Sequence, residues 1–145
     1  MQLCNSIRAK FVEDVIKAAE RIAPLKLADS SWDNVGLIAE CVGAMKERSV
    51  LVTNDLTVEV VAEAVDQNAS MIIAYHPPWF KGAKSLRADG PLRSITLCLS
   101  HGISVYSPHT ALDSIKGGST RHIIVHRQCN GLDALIHKRS ASAAS

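Results

Sequence analysis

The chain has 145 residues, 47% hydrophobic and 21% charged, a composition that suits one globular domain with a real core. A formal net charge of +2 and an aromatic content of only 4% argue against a nucleic-acid surface or an anionic membrane as partner. No apolar run is long enough to span a bilayer, and residues 1–10 lack the apolar centre of a secretory signal, although Arg8 and Lys10 without an acid give them weak targeting character.

Phe11, Val12, Val15, Ile16, Ala19 and Ile22 share one helical face, with Glu13, Lys17, Glu20 and Arg21 on the other. Pro24 ends that helix. In Ser31-Trp32-Asp33-Asn34-Val35-Gly36-Leu37-Ile38 an Asx-type turn at Asp33-Asn34 leads into a strand from Val35. Gly36 would let another backbone or a ligand come close. Trp32 reads most simply as an anchor for this turn.

Ser49 to Thr53 is rich in β-branched residues and reads as a strand. It exits at Asn54-Asp55-Leu56-Thr57. Thr57 can cap a helix with Val58, Val61, Ala62 and Val65 as its apolar stripe, closed by Gln67-Asn68. Met71 to Ala74 is a second buried strand, so residues 49–74 predict a βαβ unit with parallel pairing. Tyr75-His76 follows, and Pro77-Pro78 stops the strand because neither has an N–H for the ladder.

Residues 80–90 read as a loop carrying Lys81, Lys84 and Arg87. Pro91 suits the first turn of a helix with Leu92, Ile95, Cys98 and Leu99 on its apolar side, and Gly102 falls at its C-terminal cap. Ile103 to Tyr106 is a third strand. It exits at Ser107-Pro108-His109-Thr110-Ala111-Leu112-Asp113. Cys4, Cys41, Cys98 and Cys129 form no CxxC pair and are expected to be reduced structural thiols of an intracellular protein.

The pattern is α/β with a mostly parallel sheet. Right-handed crossovers bring the three polar exits, at Asp55, at Tyr75-His76 and at His109 to Asp113, to one edge. Histidine and aspartate gathered there are suitable donors for a divalent metal ion. Each residue also has a plainer reading. Asp55 can stabilise the next helix N-terminus, Asp113 can bond loop amides, and His109 can orient a neighbour through its second nitrogen. His101 fits a surface position at a helix end, and Ser107 has no paired base.

Taken together, Ser31 to Leu37, Thr53 to Thr57, Tyr75-His76-Pro77-Pro78-Trp79-Phe80 and Ser107 to Asp113 resemble the Nif-three-like family, also described as GTP cyclohydrolase type two-like proteins, in its eukaryotic branch. The resemblance covers residues 11–118. It leaves 1–10 as an N-terminal extension and 119–145 as a divergent tail whose last residues are expected to be disordered. It implies an α/β fold assembled into a homo-oligomer, with a two-metal site in which His76 and Asp113 are ligands. Tyr75 stands where bacterial relatives carry a first histidine; a phenol, ionising near ~10, is a poorer ligand than imidazole. His109, Asp55, Asp33 and Trp32 are supporting residues.

A late His-x-x-x-Glu pair of the family is missing, and His122 and His126 are poor substitutes because Ile123 to Val125 between them read as strand core. The chain thus corresponds to the N-terminal half of the family. The resemblance implies metal-dependent hydrolysis of a nucleotide-like substrate, weak or lost in this chain. The alternative it implies is a non-catalytic protein, cytoplasmic and also nuclear, with a transcription-regulatory protein partner.

Overall fold

In the computed structural model the described residues are 2–116 and the strand at 133–136. The N-terminal helix α1 (Gln2–Ile22) begins well before Phe11. A single 3-10 turn at Leu25–Leu27 leads to strand β1 (Gly36–Ala39). Then come β2 (Ser49–Thr53), α2 (Val58–Asp66) and β3 (Met71–Ala74). They are followed by α3 (Arg93–Ser100), β4 (Ser104–Ser107), the short α4 (His109–Asp113) and β5 (Asp133–Ile136).

The five strands form one sheet in the order β1-β4-β3-β2-β5. The expected βαβ units are present: Val50 pairs with Met71 and Thr53 with Ala74 in parallel, and β3 pairs with β4 in parallel. β5 adds a further parallel strand beside β2. Only β1 runs antiparallel, on β4, with an irregular step between Leu37 and Ala39. The sheet is therefore mostly parallel, as expected, with one reversed edge.

Period-two alternation sends successive strand residues into two separate cores. Val50, Met71 and Tyr106 pack with Phe11, Val12 and Val15 of α1. Leu51, Ile72 and Val105 pack with Val61 and Ala64 of α2 and Ile95 and Cys98 of α3. Helices thus cover both faces, the arrangement a parallel sheet requires. Each large aliphatic side chain fully buried here contributes about 1.5–3 kcal/mol relative to exposure.

Local chemistry sets the helix ends. Thr57 accepts from the Val60 N–H at 3.3 Å, so the predicted cap is real. At the far end of α2, Asn68 takes the left-handed conformation (φ 53), Asn68 N donates to Val65 and Ala69 N to Ala64. The end of α3 repeats this motif around Gly102 (φ 74), with Ile103 N on Cys98 and Gly102 N on Leu99. α3 starts at Arg93, two residues after Pro91, because a turn with Arg93 N on Gly90 O intervenes. Gly36 has φ +98, and a Cβ there would lie 3.1 Å from Leu25 Cδ1, which accounts for glycine in that turn.

Arg8 is the least expected core residue, being only 2% exposed. Its guanidinium donates to the carbonyls of Gly43 (3.0 Å), Gly102 (2.7 Å) and Ala44 (2.5 Å). It pins α1 to the turn before β2 and to the α3–β4 turn. Cys41 and Cys98 are buried free thiols, and burial pushes the Cys98 thiol up to about 12, so it is inert at neutral pH. Among the described residues no helix is long and apolar enough to cross a membrane. Cys129, His122, His126 and the disorder expected at the C-terminus lie outside the described residues.

Candidate functional site

β2, β3 and β4 run in one direction, so their carboxyl ends lie along one edge of the sheet. Main-chain bonds carry the ladder just beyond the strands. Tyr75 N donates to Thr53 O and His76 N to Asn54 O, both at 2.9 Å. Ser107 Oγ donates to Tyr75 O at 2.8 Å, which ties the β4 exit to the β3 exit. These bonds hold the backbone of Tyr75 and His76 ahead of the Pro77-Pro78 turn.

Two imidazoles on this edge are each held by a carboxylate. His76 Nδ1 lies 2.8 Å from Asp55 Oδ1. The pair is open to solvent, with side chains 47% and 67% exposed. Asp55 therefore serves His76, while Thr57 caps α2. His109 Nδ1 lies 2.8 Å from Asp33 Oδ1, and this pair is buried, with the Asp33 side chain wholly inaccessible. A carboxylate accepts, so Nδ1 is the protonated nitrogen in each pair and Nε2 of a neutral ring is left as the acceptor.

Asp33 does more than shape a turn. It also accepts from Asn34 N at 2.8 Å, Thr110 N at 3.2 Å and the Thr110 hydroxyl. Burial pushes its carboxyl up, but the bonds from Thr110, His109 and Asn34 outweigh this and hold it below the usual carboxylate range. These bonds also hold His109 in a left-handed conformation (φ 27), which is strained for any residue with a Cβ.

Asp113 lies at the end of α4 and is exposed. The Tyr75 hydroxyl donates to its carboxylate, 2.7 Å from Oδ1 and 2.8 Å from Oδ2. The rings of Tyr75, His76 and His109 lie together. Their centroids are 4.6 Å apart for Tyr75–His76, 5.4 Å for Tyr75–His109 and 5.6 Å for His76–His109. Asp33, Asp55, Tyr75, His76, His109 and Asp113 are thus on this edge or against it, whereas His101 ends α3 ahead of β4. Trp32 stands edge-on to His109 at 5.8 Å.

Trp32 is not buried as a turn anchor would be; it is 51% exposed. Its indole N–H donates to Asp29 Oδ2 at 2.8 Å. Phe80, which the sequence offered as the end of the Tyr75 to Phe80 motif and the start of a loop but not as a site residue, lies 5.7 Å from Trp32 and 5.5 Å from His109. Asp29 and Thr110 were also missed, because hydrogen bonds between positions 81 residues apart leave no local signal. Among the described residues, no three His, Cys, Asp or Glu side chains are gathered as a ready-made metal cage.

These features define a class: a three-layer α/β domain whose parallel strands deliver carboxylate-held histidines to one edge. A family profile described as Duf34/NIF3 (NGG1p interacting factor 3) matches residues 11–135, and the chain belongs to that family. The match reaches past residue 118 and into β5. The chain is 40% identical over 115 residues to NIF3-like protein 1 of Drosophila melanogaster, covering 79% of this chain and 39% of that protein. It is 39% identical over 125 residues to the NGG1-interacting factor 3 of Saccharomyces cerevisiae, covering 80% and 43%. A Bacillus cereus protein related to NIF3 superposes with a TM-score of 0.65 at 33% identity, over 73% of this chain and 29% of that one. The chain thus spans well under half the length of these relatives.

Proposed function

We propose that the carboxyl edge of the sheet is a partial divalent-metal site of a hydrolase-like protein. His76 and Asp113 are its direct donors and Tyr75 a third. Asp55 orients His76, and Asp33 and His109 support the edge from behind. The observation that carries this reading is the 2.8 Å bond from His76 Nδ1 to the Asp55 carboxylate. Carboxylate support of one ring nitrogen is what metal-binding histidines need, because it fixes the tautomer and leaves Nε2 as donor. Imidazole and carboxylate together suit a divalent ion. Bound there, such an ion supplies Lewis-acid activation of water against a nucleotide or other phosphorylated substrate.

His76 and Asp113 are too few donors for a tight catalytic centre, so this chain alone is expected to bind metal weakly and to turn over little or no substrate. Homo-oligomers of the chain form part of the proposal. Equilibrium dialysis against Zn²⁺ or Mn²⁺ tests it. Saturable, weak binding is expected, abolished by Asp113→Ala and weakened about 10–100-fold by Asp55→Asn. Two tightly held ions per chain, or binding indifferent to Asp113→Ala, overturns the reading.

A second reading is favoured by the name of the yeast relative, which is an interacting factor of NGG1. On that reading the chain is a non-catalytic protein of cytoplasm and nucleus that binds a transcription-related protein partner, with no direct contact to nucleic acid.

A further inference from the structure

An open cleft of about 530 Å³ lies beside the histidine edge, lined by Ser30, Ser31, Trp32, Asp33, Phe80 and Lys81. Its volume is in the range of small-molecule sites. Two large aromatic side chains stand in it half-exposed, Trp32 at 51% and Phe80 at 47%. The rings lie 5.7 Å apart and are inclined at 41°, so they are not closed on each other face to face.

The exposed indole is nevertheless fixed. Asp29 Oδ2 accepts the Trp32 N–H at 2.8 Å, while Asp29 Oδ1 accepts from Ser31 N at 3.1 Å and Ser31 Oγ at 2.6 Å. Those bonds hold the Asp29 carboxyl below the usual range, the Ser31 hydroxyl contributing most. Asp29 N in turn donates to Thr110 Oγ1 at 3.0 Å, and Thr110 is bonded to Asp33. One network therefore sets Trp32, Asp33 and His109 together. A rigid, solvent-facing aromatic surface loses little freedom when a flat ring stacks on it.

Charge narrows the ligand. The carboxylates of Asp29 and Asp33 are each engaged by several donors. Lys81 is exposed on the cleft wall and makes no ion pair among the described residues. A flat π-system with an attached anion satisfies both features: the ring on Trp32 and Phe80, the anion towards Lys81.

We propose that this cleft is a stacking subsite for a planar heterocycle bearing a phosphate, held by Trp32 and Phe80 and steered by Lys81. It rests on the metal-edge reading for its nucleotide-like ligand class and adds the residues that hold the ring and the anion, but the stacking itself requires no metal. That separates the two in experiment.

The test uses metal-free protein with Trp79→Phe, so that Trp32 is the only reporter, titrated with adenosine 5′-monophosphate, adenosine and ribose 5-phosphate. Saturable quenching by the first two and none by ribose 5-phosphate is expected. Lys81→Ala should weaken the monophosphate about fivefold, the scale of an exposed ion pair, and leave adenosine unchanged. In a chain that keeps both tryptophans, Phe80→Leu should weaken both aromatic ligands about tenfold, within the range of one base–aromatic contact. Native circular dichroism for each variant confirms the fold. Three results overturn the proposal: no saturable quenching at millimolar ligand, an equal response to ribose 5-phosphate, or Trp32 emission that instead shifts with protein concentration, which would make the cleft a contact between copies. Stacking without metal binding would leave this proposal standing and remove only the metal reading.

Discussion

Asp33→Ala is expected to destabilise the protein by about 3 kcal/mol, because several buried or half-buried donors lose their acceptor at once. The Asp33 side chain is wholly inaccessible and receives bonds from His109 Nδ1, Thr110 N, Thr110 Oγ1 and Asn34 N. A buried donor left unsatisfied costs about 1–3 kcal/mol, and part of that is recovered where water enters. The strained backbone at His109 (φ 27) also loses its restraint. Urea unfolding measures the effect.

pH gives an independent sign. The folded Asp33 carboxyl is held below its usual range, so its stabilisation is fully present above the unfolded value and is lost as pH falls through the folded one. Stability should therefore decline below about pH 4, and Asp33→Asn should flatten that decline while lowering stability at neutral pH. A loss under about 1 kcal/mol for Asp33→Ala would mean the bonds are already shared with solvent.

Arg8→Ala is the second large effect, again expected near 3 kcal/mol. Truncation leaves the carbonyls of Gly43, Ala44 and Gly102 without their donor and opens a void beside α1. Gly102 belongs to the same junction, since a Cβ there would stand 3.3 Å from Arg8 Nη2. Arg8→Lys should recover less than half of the loss, because one ammonium on a flexible stem cannot reproduce a planar fork aimed at separated acceptors. Thermal and urea unfolding that left Arg8→Lys equal to the parent would show that charge alone matters there.

The contrast between these two residues and the strands shows what a sequence exposes. β2 and β3 were legible because a β-branched run and a short apolar run flank a helix with a clear apolar stripe and a threonine cap. Their parallel pairing follows from the crossover that the helix makes. The shared edge for Asp55, His76 and Asp113 followed from the same rule. The direction of β1 was not legible, because an isolated four-residue strand can join an edge either way. Nor was β5, in a stretch with no clear alternation to mark it.

Arg8 lies on a segment whose charges suggest solvent. Its burial depends on carbonyls 35, 36 and 94 residues away. The Asp33–His109 bond spans 76 positions and the Tyr75–Asp113 bond 38, so residue type could nominate these side chains but not pair them. His76 with Asp55 is the informative case. The sequence left Asp55 as a helix-end residue or a member of the metal edge, and geometry assigns it to the histidine.

The most direct measurement is paramagnetic broadening by substoichiometric Mn²⁺ in the amide and imidazole NMR spectra of the chain. Selective loss of the signals of Asp55, Tyr75, His76 and Asp113 is predicted, with the C-terminal ends of α2 and α3 unaffected and the pattern erased by Asp113→Ala. Broadening spread over exposed acids such as Glu13 and Asp14 on α1, or unchanged by Asp113→Ala, would contradict a metal site at this edge.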